Sequence, residues 1–354
     1  METKVIRINN NPDKSIFEEA GAVIKNGGLV AFPTETVYGL GGDALNPSSS
    51  KKIYAAKGRP SDNPLIVHIC KWEDIKRIVS HIPKEAEVLA EKYWPGPLTM
   101  IFKKTDLVPS ETTGGLDTVA VRMPSHPVAL AFIEAAGGYV AAPSANVSGR
   151  PSPTTSKYVE EDMLGRIEMI LDGGEVEIGL ESTIVDVTGD VPMILRPGFV
   201  TKEMLDDLFD GVKTDPTVLS GDCKEAPKAP GMKYRHYAPK GNLMIVAGNE
   251  ADVVKTINSF SEKAMSEGKK VGIIGTEENL LSYKAHSIKS VGSKNDEASI
   301  ARRLYTILRE FDDENIEAIY SEAFKDGGMG QAIMNRLLKA AGHQVYHVSA
   351  KEEK

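Results

Sequence analysis

The sequence predicts an α/β protein in two parts, a sheet-based first domain and a smaller, doubly wound Rossmann-like α/β domain after it. Three observations carry this. With 354 residues, 41% of them hydrophobic, the chain is too long for one ordinary core, so two domains are expected. From Asn242 onward, apolar runs near 242–247, 271–275, 286–291, 318–323 and 345–349 alternate with helical stretches, the pattern of a parallel sheet covered on both faces. Residues 211–241 between the two parts are polar and rich in proline and lysine, which marks a linker. The expected division is therefore 1–210, 211–241 and 242–354.

In the first domain, residues 16–26 read as a helix ending at Asn26-Gly27-Gly28, and Leu29 to Phe32 as a short buried strand stopped by Pro33. Pro33 to Gly42 alternates hydroxyls with glycines, which predicts a loop whose backbone comes close to a small ligand. Ser48 to Lys57 is a helix with a capping hydroxyl, stopped by Gly58 and Pro60. Lys57 and Arg59 stand at its exit, where two cations could do no more than answer the helix dipole. The strand Pro64 to Cys70 sets Leu65, Val67 and Ile69 on one face, and Ile66, His68 and Cys70 on the other.

Helices at 72–79 and 84–93 follow, the second broken by Trp94-Pro95-Gly96-Pro97 ahead of a strand at 98–102. From Thr118 to Arg122 a period of two turns Val119 and Val121 inward, leaving Thr118, Ala120 and Arg122 together on the opposite face. A helix near 126–136 and a strand at 139–142 lead into a hydroxyl-rich loop, with Ser152 or Thr154 placed to cap the next helix. Ser144 and Asn146 lie just past a strand end, where open α/β sheets hold ligands. Ser182–Val187 and Pro192–Arg196 form a hairpin around Gly189-Asp190 that sets Thr183 opposite Arg196. Ser182 and Arg196 stay close even if that register slips by one.

A short helix at 201–209 closes the domain. At the end of the linker, residues 229–239 pack two cations, an imidazole and two tyrosines between prolines, a composition suited to a stiff segment lying across a ligand. Asp326-Gly327-Gly328-Met329-Gly330 precedes a helix, but a plain turn is favoured there over an anion site.

Composition narrows the function classes. The net charge of -8 argues against an extended nucleic-acid surface, while leaving room for a local basic site. Cys70 and Cys223 cannot make a disulfide framework or a clustered metal site, which points to a reducing, cytoplasmic setting. The amino-terminal residues lack a signal-like apolar core, and no segment reaches the ~20 apolar residues that span a bilayer.

Lys57, Arg59, Arg122 and Arg196 come from four elements of one sheet-based fold, beside Thr36, Asn63, His68, Thr118, Ser144, Asn146 and Ser182. Convergent cations in an acidic chain suggest a site for a small, highly charged molecule. There are no paired catalytic carboxylates, no serine elbow and no Gly-x-x-x-x-Gly-Lys-Ser/Thr loop. Chemistry that runs on positioning and charge neutralisation fits better than chemistry needing a protein nucleophile.

The runs Pro33 to Leu40, Lys57-Gly58-Arg59-Pro60, Asn63-Pro64-Leu65, Trp94 to Thr99, Arg122-Met123-Pro124, Pro143 to Asn146, Ser182-Thr183 and Leu195 to Gly198 closely resemble the YrdC-like family in order and spacing. With Pro230-Gly231-Met232, His236-Tyr237-Ala238-Pro239 and a second α/β domain, the chain resembles that family's long, two-domain threonylcarbamoyl-AMP synthases.

The resemblance implies a YrdC-like twisted open sheet with a concave pocket, and a linker that covers the active site. It implies a reaction of L-threonine, bicarbonate and ATP giving threonylcarbamoyl-AMP and pyrophosphate, for threonylcarbamoyladenosine beside the anticodon of tRNA. Thr36, His68, Arg122, Ala142 and Ser182 would line the threonine site. Arg59, Asn63, Thr118, Ser144, Asn146, Ser152, Arg196 and Tyr234 would hold ATP. Lys57 and Arg59 would be catalytic, Mg2+ would accompany ATP with no dedicated protein metal site, and the product would pass to a tRNA threonylcarbamoyl-transfer enzyme. Losing Lys57 or Arg59 is expected to cut turnover while barely changing folding. Two rival readings are a double-stranded RNA-binding module, which the acidic balance opposes, and a carbamoyl-group transferase, opposed by the lack of paired zinc-finger cysteines.

Overall fold

Pairing among eleven short strands organises the first part of the chain, and a separate five-stranded sheet organises the second. The computed structural model describes residues 1–9, 12–220, 229–230, 236–325 and 327–348. Two units result, Met1–Ser148 with Ser152–Tyr234, and Gly149–Pro151 with Arg235–Lys354.

The first unit opens with β1 (Lys4–Arg7), α1 (Lys14–Lys25), β2 (Val30–Phe32) and β3 (Gly39–Asp43). Next come α2 (Pro47–Lys57), β4 (Ile66–His68), α3 (Ile75–Ile78), α4 (Lys84–Tyr93) and β5 (Leu98–Lys103). They are followed by α5 (Ser110–Thr113), β6 (Thr118–Arg122), α6 (Pro127–Ala135) and β7 (Val140–Ala142). The unit continues with α7 (Ser156–Met163), β8 (Met169–Asp172), β9 (Thr183–Asp186), β10 (Met193–Arg196), α8 (Lys202–Asp206), β11 (Lys213–Thr214) and α9 (Pro216–Ser220). The strand order is β1-β8-β2-β3-β7-β4-β6-β5-β9-β10-β11, with parallel and antiparallel pairs mixed.

Alternation along the strands sorts the two faces as the sequence pattern requires. Leu65, Val67, Ile69, Val119 and Val121 enter the main core. On the opposite face, Ile66, Ile101, Ala120, Ile184 and Leu195 form a small apolar floor, with the fully buried Ala229 packed against it. Further along that face, Val30, Phe32, Val140 and Ala142 are covered by Phe17 and Ala20 of α1 and Phe132 of α6.

Five local expectations change. The stretch read as loop through Gly42 is a strand from Gly39, pairing antiparallel with β2. Its glycines permit this, because a Cβ at Gly39 or Gly41 would stand 3.0 or 3.1 Å from the Phe32 ring. Helix α2 is capped by the Asn46 side chain, which accepts from the Ser48 amide, rather than by a serine hydroxyl. It ends at Gly58 with φ 62°, a left-handed conformation suited to glycine. Helix α7 has no side-chain cap, and the Ser152 hydroxyl instead donates to Glu181 Oε1 at 2.6 Å. In the hairpin, Arg196 opposes Ile184 rather than Thr183, since the ladder shifts between Ile194 and Arg196. The polar stretch from 211 is ordered as β11 and α9, a parallel edge pairing that needs backbone groups rather than apolar side chains.

The second unit runs β12 (Asn242–Ala247), α10 (Glu250–Ser266), β13 (Val271–Gly275), β14 (Ser287–Ser290), α11 (Glu297–Asp313), β15 (Ala318–Glu322), α12 (Gly328–Ala340) and β16 (Val345–His347). All five strands are parallel, in the order β14-β13-β15-β12-β16, each close to its expected place. The glycine cluster does open a helix, and the Gly330 amide there donates to the chain's own Glu297 at 3.1 Å. Asp326 and Cys223 lie outside the described residues. Within this unit the fully buried Arg309 donates through Nε and Nη2 to the Pro151 carbonyl, at 3.1 and 2.7 Å. No helix among the described residues is long and apolar enough to cross a membrane.

Candidate active site

One row of register partners crosses β7, β4, β6, β5, β9 and β10. It runs Val140, His68, Arg122, Thr99, Ile184 and Arg196. Register partners share a face, so the imidazole, two guanidiniums and the Thr99 hydroxyl stand on the side opposite the main core. Thr118 is on that face of β6 too, four residues before Arg122 and therefore about 13 Å away along the strand. Ala142, opposite Ile66, continues the same surface one row on.

The expected adjacency of Ser182 and Arg196 holds despite the shifted register. Arg196 donates Nε and Nη2 to the Ser182 carbonyl at 3.1 and 2.9 Å, and Nη2 to its hydroxyl at 3.1 Å. The same hydroxyl lies 2.7 Å from Thr99 Oγ1. Arg196 also reaches the described end of the linker, donating Nη1 to the Pro230 carbonyl at 3.4 Å.

At the exit of α2, Lys57 is only 2% exposed. Its ammonium donates to the Ser144 and Asn146 carbonyls, each at 2.5 Å. The expectation that its loss barely affects folding therefore needs correcting, because the cation pins the loop after β7 from inside. Within that loop, Ser144 Oγ donates to Asn146 Oδ1 at 2.5 Å. Arg59, half-buried, closes the next turn by donating Nε and Nη2 to the Asn63 carbonyl, both at 3.3 Å, and Nη2 to the Pro64 carbonyl at 3.1 Å. Asn63 is itself buried, and its Oδ1 has no hydrogen-bond partner.

Thr36 is fully buried in a serine/threonine-type turn, its hydroxyl 2.8 Å from that of Thr34. Burial first, and the nearby Arg122 guanidinium second, push the His68 imidazole down to about 3, so it is neutral at physiological pH. Its Nδ1 faces the Ile66 carbonyl at 3.1 Å, which fixes the proton on that nitrogen. Arg122 Nη2 lies 2.8 Å from Glu35 Oε1, with both side chains 5% exposed.

The structure thus joins His68, Arg122, Ser182 and Arg196 in one group, Lys57, Ser144 and Asn146 in a second, and Arg59 with Asn63 in a third. Ser152 faces Glu181, and Tyr234 lies outside the described residues. Sequence reasoning passed over Thr99, Glu181 and Glu35. Thr99 is identified only once β5 is known to lie beside β6. Glu35 carried a readable signal, a carboxylate inside a run of hydroxyls and glycines at a strand end.

Comparison with known proteins accounts for both units. A family described as telomere recombination matches residues 22–198, and one described as threonylcarbamoyl-AMP synthase, C-terminal domain, matches residues 200–342. Threonylcarbamoyl-AMP synthase of Pyrococcus abyssi is 45% identical over 346 residues, covering 98% of this chain and 100% of the relative. The chain belongs to the threonylcarbamoyl-AMP synthase family. The family's member from Bacillus subtilis is also 45% identical, over 92% of this chain and 93% of its own length. A crystal structure of P. abyssi Sua5 complexed with L-threonine superposes with a TM-score of 0.93 at 45% identity, over 98% of this chain and 100% of that one. The family's two-domain form, with an α/β fold in each part, is the architecture described above.

Proposed function

We propose that this protein is an L-threonylcarbamoyladenylate synthase, joining L-threonine, bicarbonate and ATP into threonylcarbamoyl-AMP with release of pyrophosphate, for modification of tRNA beside the anticodon. One observation carries the reading. A single sheet face holds buried Arg122 and Arg196, neutral His68 and the Ser182 and Thr99 hydroxyls, with Thr118 further along the same strand. Such a surface is long enough for an amino acid at the Arg122 end and a nucleotide toward Thr118. The L-threonine bound to the P. abyssi relative supports the amino-acid end.

In this scheme the threonine carboxylate lies on Arg122, with Thr36, His68, Ala142 and Ser182 around the side chain. ATP lies against Arg59, Asn63, Thr118, Ser144, Asn146, Ser152, Arg196 and Tyr234. The threonine amine captures the one-carbon unit as a carbamate. Its oxygen then attacks the α-phosphorus and pyrophosphate leaves. Two anions must be held together for this, and planar guanidiniums bind carboxylate and phosphate oxygens through paired, charge-assisted bonds. Arg59 supplies such a group at the phosphates, while Lys57 fixes the loop bearing Ser144 and Asn146 and lends its charge from beneath.

Magnesium bound with ATP would neutralise phosphate charge. Phosphate oxygens and water would supply most of its ligands, as is usual for magnesium held with a nucleotide. The partnerless Asn63 Oδ1 is the protein oxygen that suits it best. The buried Ala229 and the Arg196 bond to Pro230 support a linker that lies over the site. We place the boundaries at 1–210 for the catalytic part, 211–241 for the linker, whose opening β11 and α9 attach to the catalytic part's sheet, and 242–354 for the Rossmann-like part. The setting is cytoplasmic, and the product passes to a tRNA threonylcarbamoyl-transfer enzyme.

Pyrophosphate release tests the reading. It is expected only when threonine, bicarbonate and ATP are all present. Release that ignores threonine would sink it.

A further inference from the structure

Glu35 is a buried ionisable group beside the site that the scheme above leaves unused. Only 4% of the residue is exposed, and neither carboxylate oxygen has a hydrogen-bond partner, although Arg122 Nη2 lies 2.8 Å from Oε1. A buried carboxylate in an ion pair with unfilled hydrogen-bonding capacity is costly, so a further donor there would be strongly favoured. The backbone is firmly placed. The Glu35 carbonyl accepts the Ile178 amide at 2.8 Å. Next to it, Thr34 Oγ1 accepts the Thr36 and Val37 amides at 3.2 and 3.3 Å and donates to the Val37 carbonyl at 2.7 Å. Arg122 is held as well, its Nε donating to the Gly96 carbonyl at 3.4 Å.

An α-amino acid carries its ammonium and carboxylate on one carbon, so the two charges lie about 3 Å apart. An arginine and a glutamate in contact at the floor of a site match that pair of charges. We propose that Glu35 binds the α-ammonium of the amino acid whose carboxylate sits on Arg122, and takes the proton that must leave before the nitrogen can react. This rests on the threonine-site reading given above. An ammonium N–H bond breaks and its proton goes to a Glu35 oxygen. The freed lone pair forms the N–C bond to bicarbonate carbon, and the bicarbonate hydroxyl leaves as water with the second nitrogen proton. Threonine and bicarbonate together thus give carbamate, water and one proton, which Glu35 holds. His68, neutral and turned to the Ile66 carbonyl, is less suited to that role.

Glu35→Gln in the full-length protein tests this in two ways. Binding is measured without ATP, by calorimetry, for L-threonine and for 2,3-dihydroxybutanoate of matching configuration, which has a hydroxyl in place of the ammonium. The unaltered protein is expected to prefer threonine by tenfold or more, and the variant by threefold or less, because a charge-assisted bond is lost. Turnover of the variant is expected to fall by about 10²–10⁴, the usual contribution of a general base, with KM for ATP unchanged. An unchanged preference for threonine would overturn the proposal. So would tighter threonine binding at full turnover, which would mean that Glu35 merely occupies Arg122 until substrate arrives. Should the glutamine variant fail to fold, Glu35→Asp decides, since it keeps the charge but withdraws it by one methylene. It is expected to retain the preference and lose turnover at least tenfold, and full turnover would overturn the proposal. If the unaltered protein released no pyrophosphate with threonine, the reaction reading would fail, while the ammonium preference would still report what Glu35 touches.

Discussion

Replacing Lys57 by methionine separates its two duties, because methionine keeps an unbranched stem of similar length and removes only the charge. In the folded protein Lys57 is 2% exposed, and its ammonium donates to the carbonyls of Ser144 and Asn146, both at 2.5 Å. Without it each carbonyl loses a charged donor, at about 1–3 kcal/mol apiece. Part of that loss is offset because an ammonium no longer has to be desolvated. The expected net destabilisation of the first unit is about 2–4 kcal/mol. Urea unfolding followed by tryptophan fluorescence measures it, since Trp72 and Trp94 both lie in that unit, their rings 5.9 Å apart. Threonine-dependent pyrophosphate release, assayed where the variant is still folded, should fall by about 10²–10³, the range for losing one preorganised charge stabiliser. An unchanged urea midpoint would refute the inference that Lys57 pins the loop. A shifted midpoint with full turnover would leave it a structural role alone.

Serine, lacking only a methyl, should be used about 10–200-fold less well than threonine, whereas valine should be rejected by about 10⁴ because it strands a buried polar partner of the hydroxyl. Equal use of the two in pyrophosphate release would contradict a hydroxyl-reading site at Thr36, His68 and Ser182. His68 titrates near 3 when folded against an ordinary 6.5, so the unfolded chain binds the extra proton between those values. Its contribution to stability is complete above the unfolded value and declines by about 1.4 kcal/mol per pH unit on acidification toward the folded one. His68→Gln should flatten the pH dependence of urea stability in that window, and an unchanged slope would count against a neutral buried imidazole. At Gly41 an added Cβ would meet Val140 Cγ1 at 2.8 Å and the Phe32 ring at 3.1 Å. Gly41→Ala should therefore destabilise by about 1–3 kcal/mol, and a wild-type urea midpoint would show that β3 can move aside.

The sequence by itself determined whatever local periodicity and turn chemistry govern. Val119 and Val121 alternate with Thr118, Ala120 and Arg122, and side chains on a strand have no choice but to do so, so the two faces of β6 could be read directly. The five strands of the second unit announced themselves as apolar runs between helices, since a parallel sheet covered on both faces tolerates little polarity. Motif order named the candidate residues, and the hairpin delivered Ser182 to Arg196 because a one-residue shift still leaves them neighbours.

Only the tertiary structure decided which strands lie side by side, and that choice made the site. Thr99 faces Arg122 because β5 pairs with β6, a contact between residues 23 positions apart that no local pattern encodes. The glycine-rich run after Pro33 looked like loop because its residues have low strand propensity. From Gly39 onward it is a strand, because the Phe32 ring packs where a side chain would collide, and packing overrides propensity when the two disagree, while the residues before Gly39 are loop as expected. Ser152 could have capped a helix by spacing alone, yet its hydroxyl turned to Glu181, a choice settled by which acceptor the fold buries beside it. Lys57 and Glu35 show the same division. Their charges were visible in the chain, but whether a charge meets water, a carbonyl or a guanidinium is fixed only when distant segments close around it, and that determines what each can do.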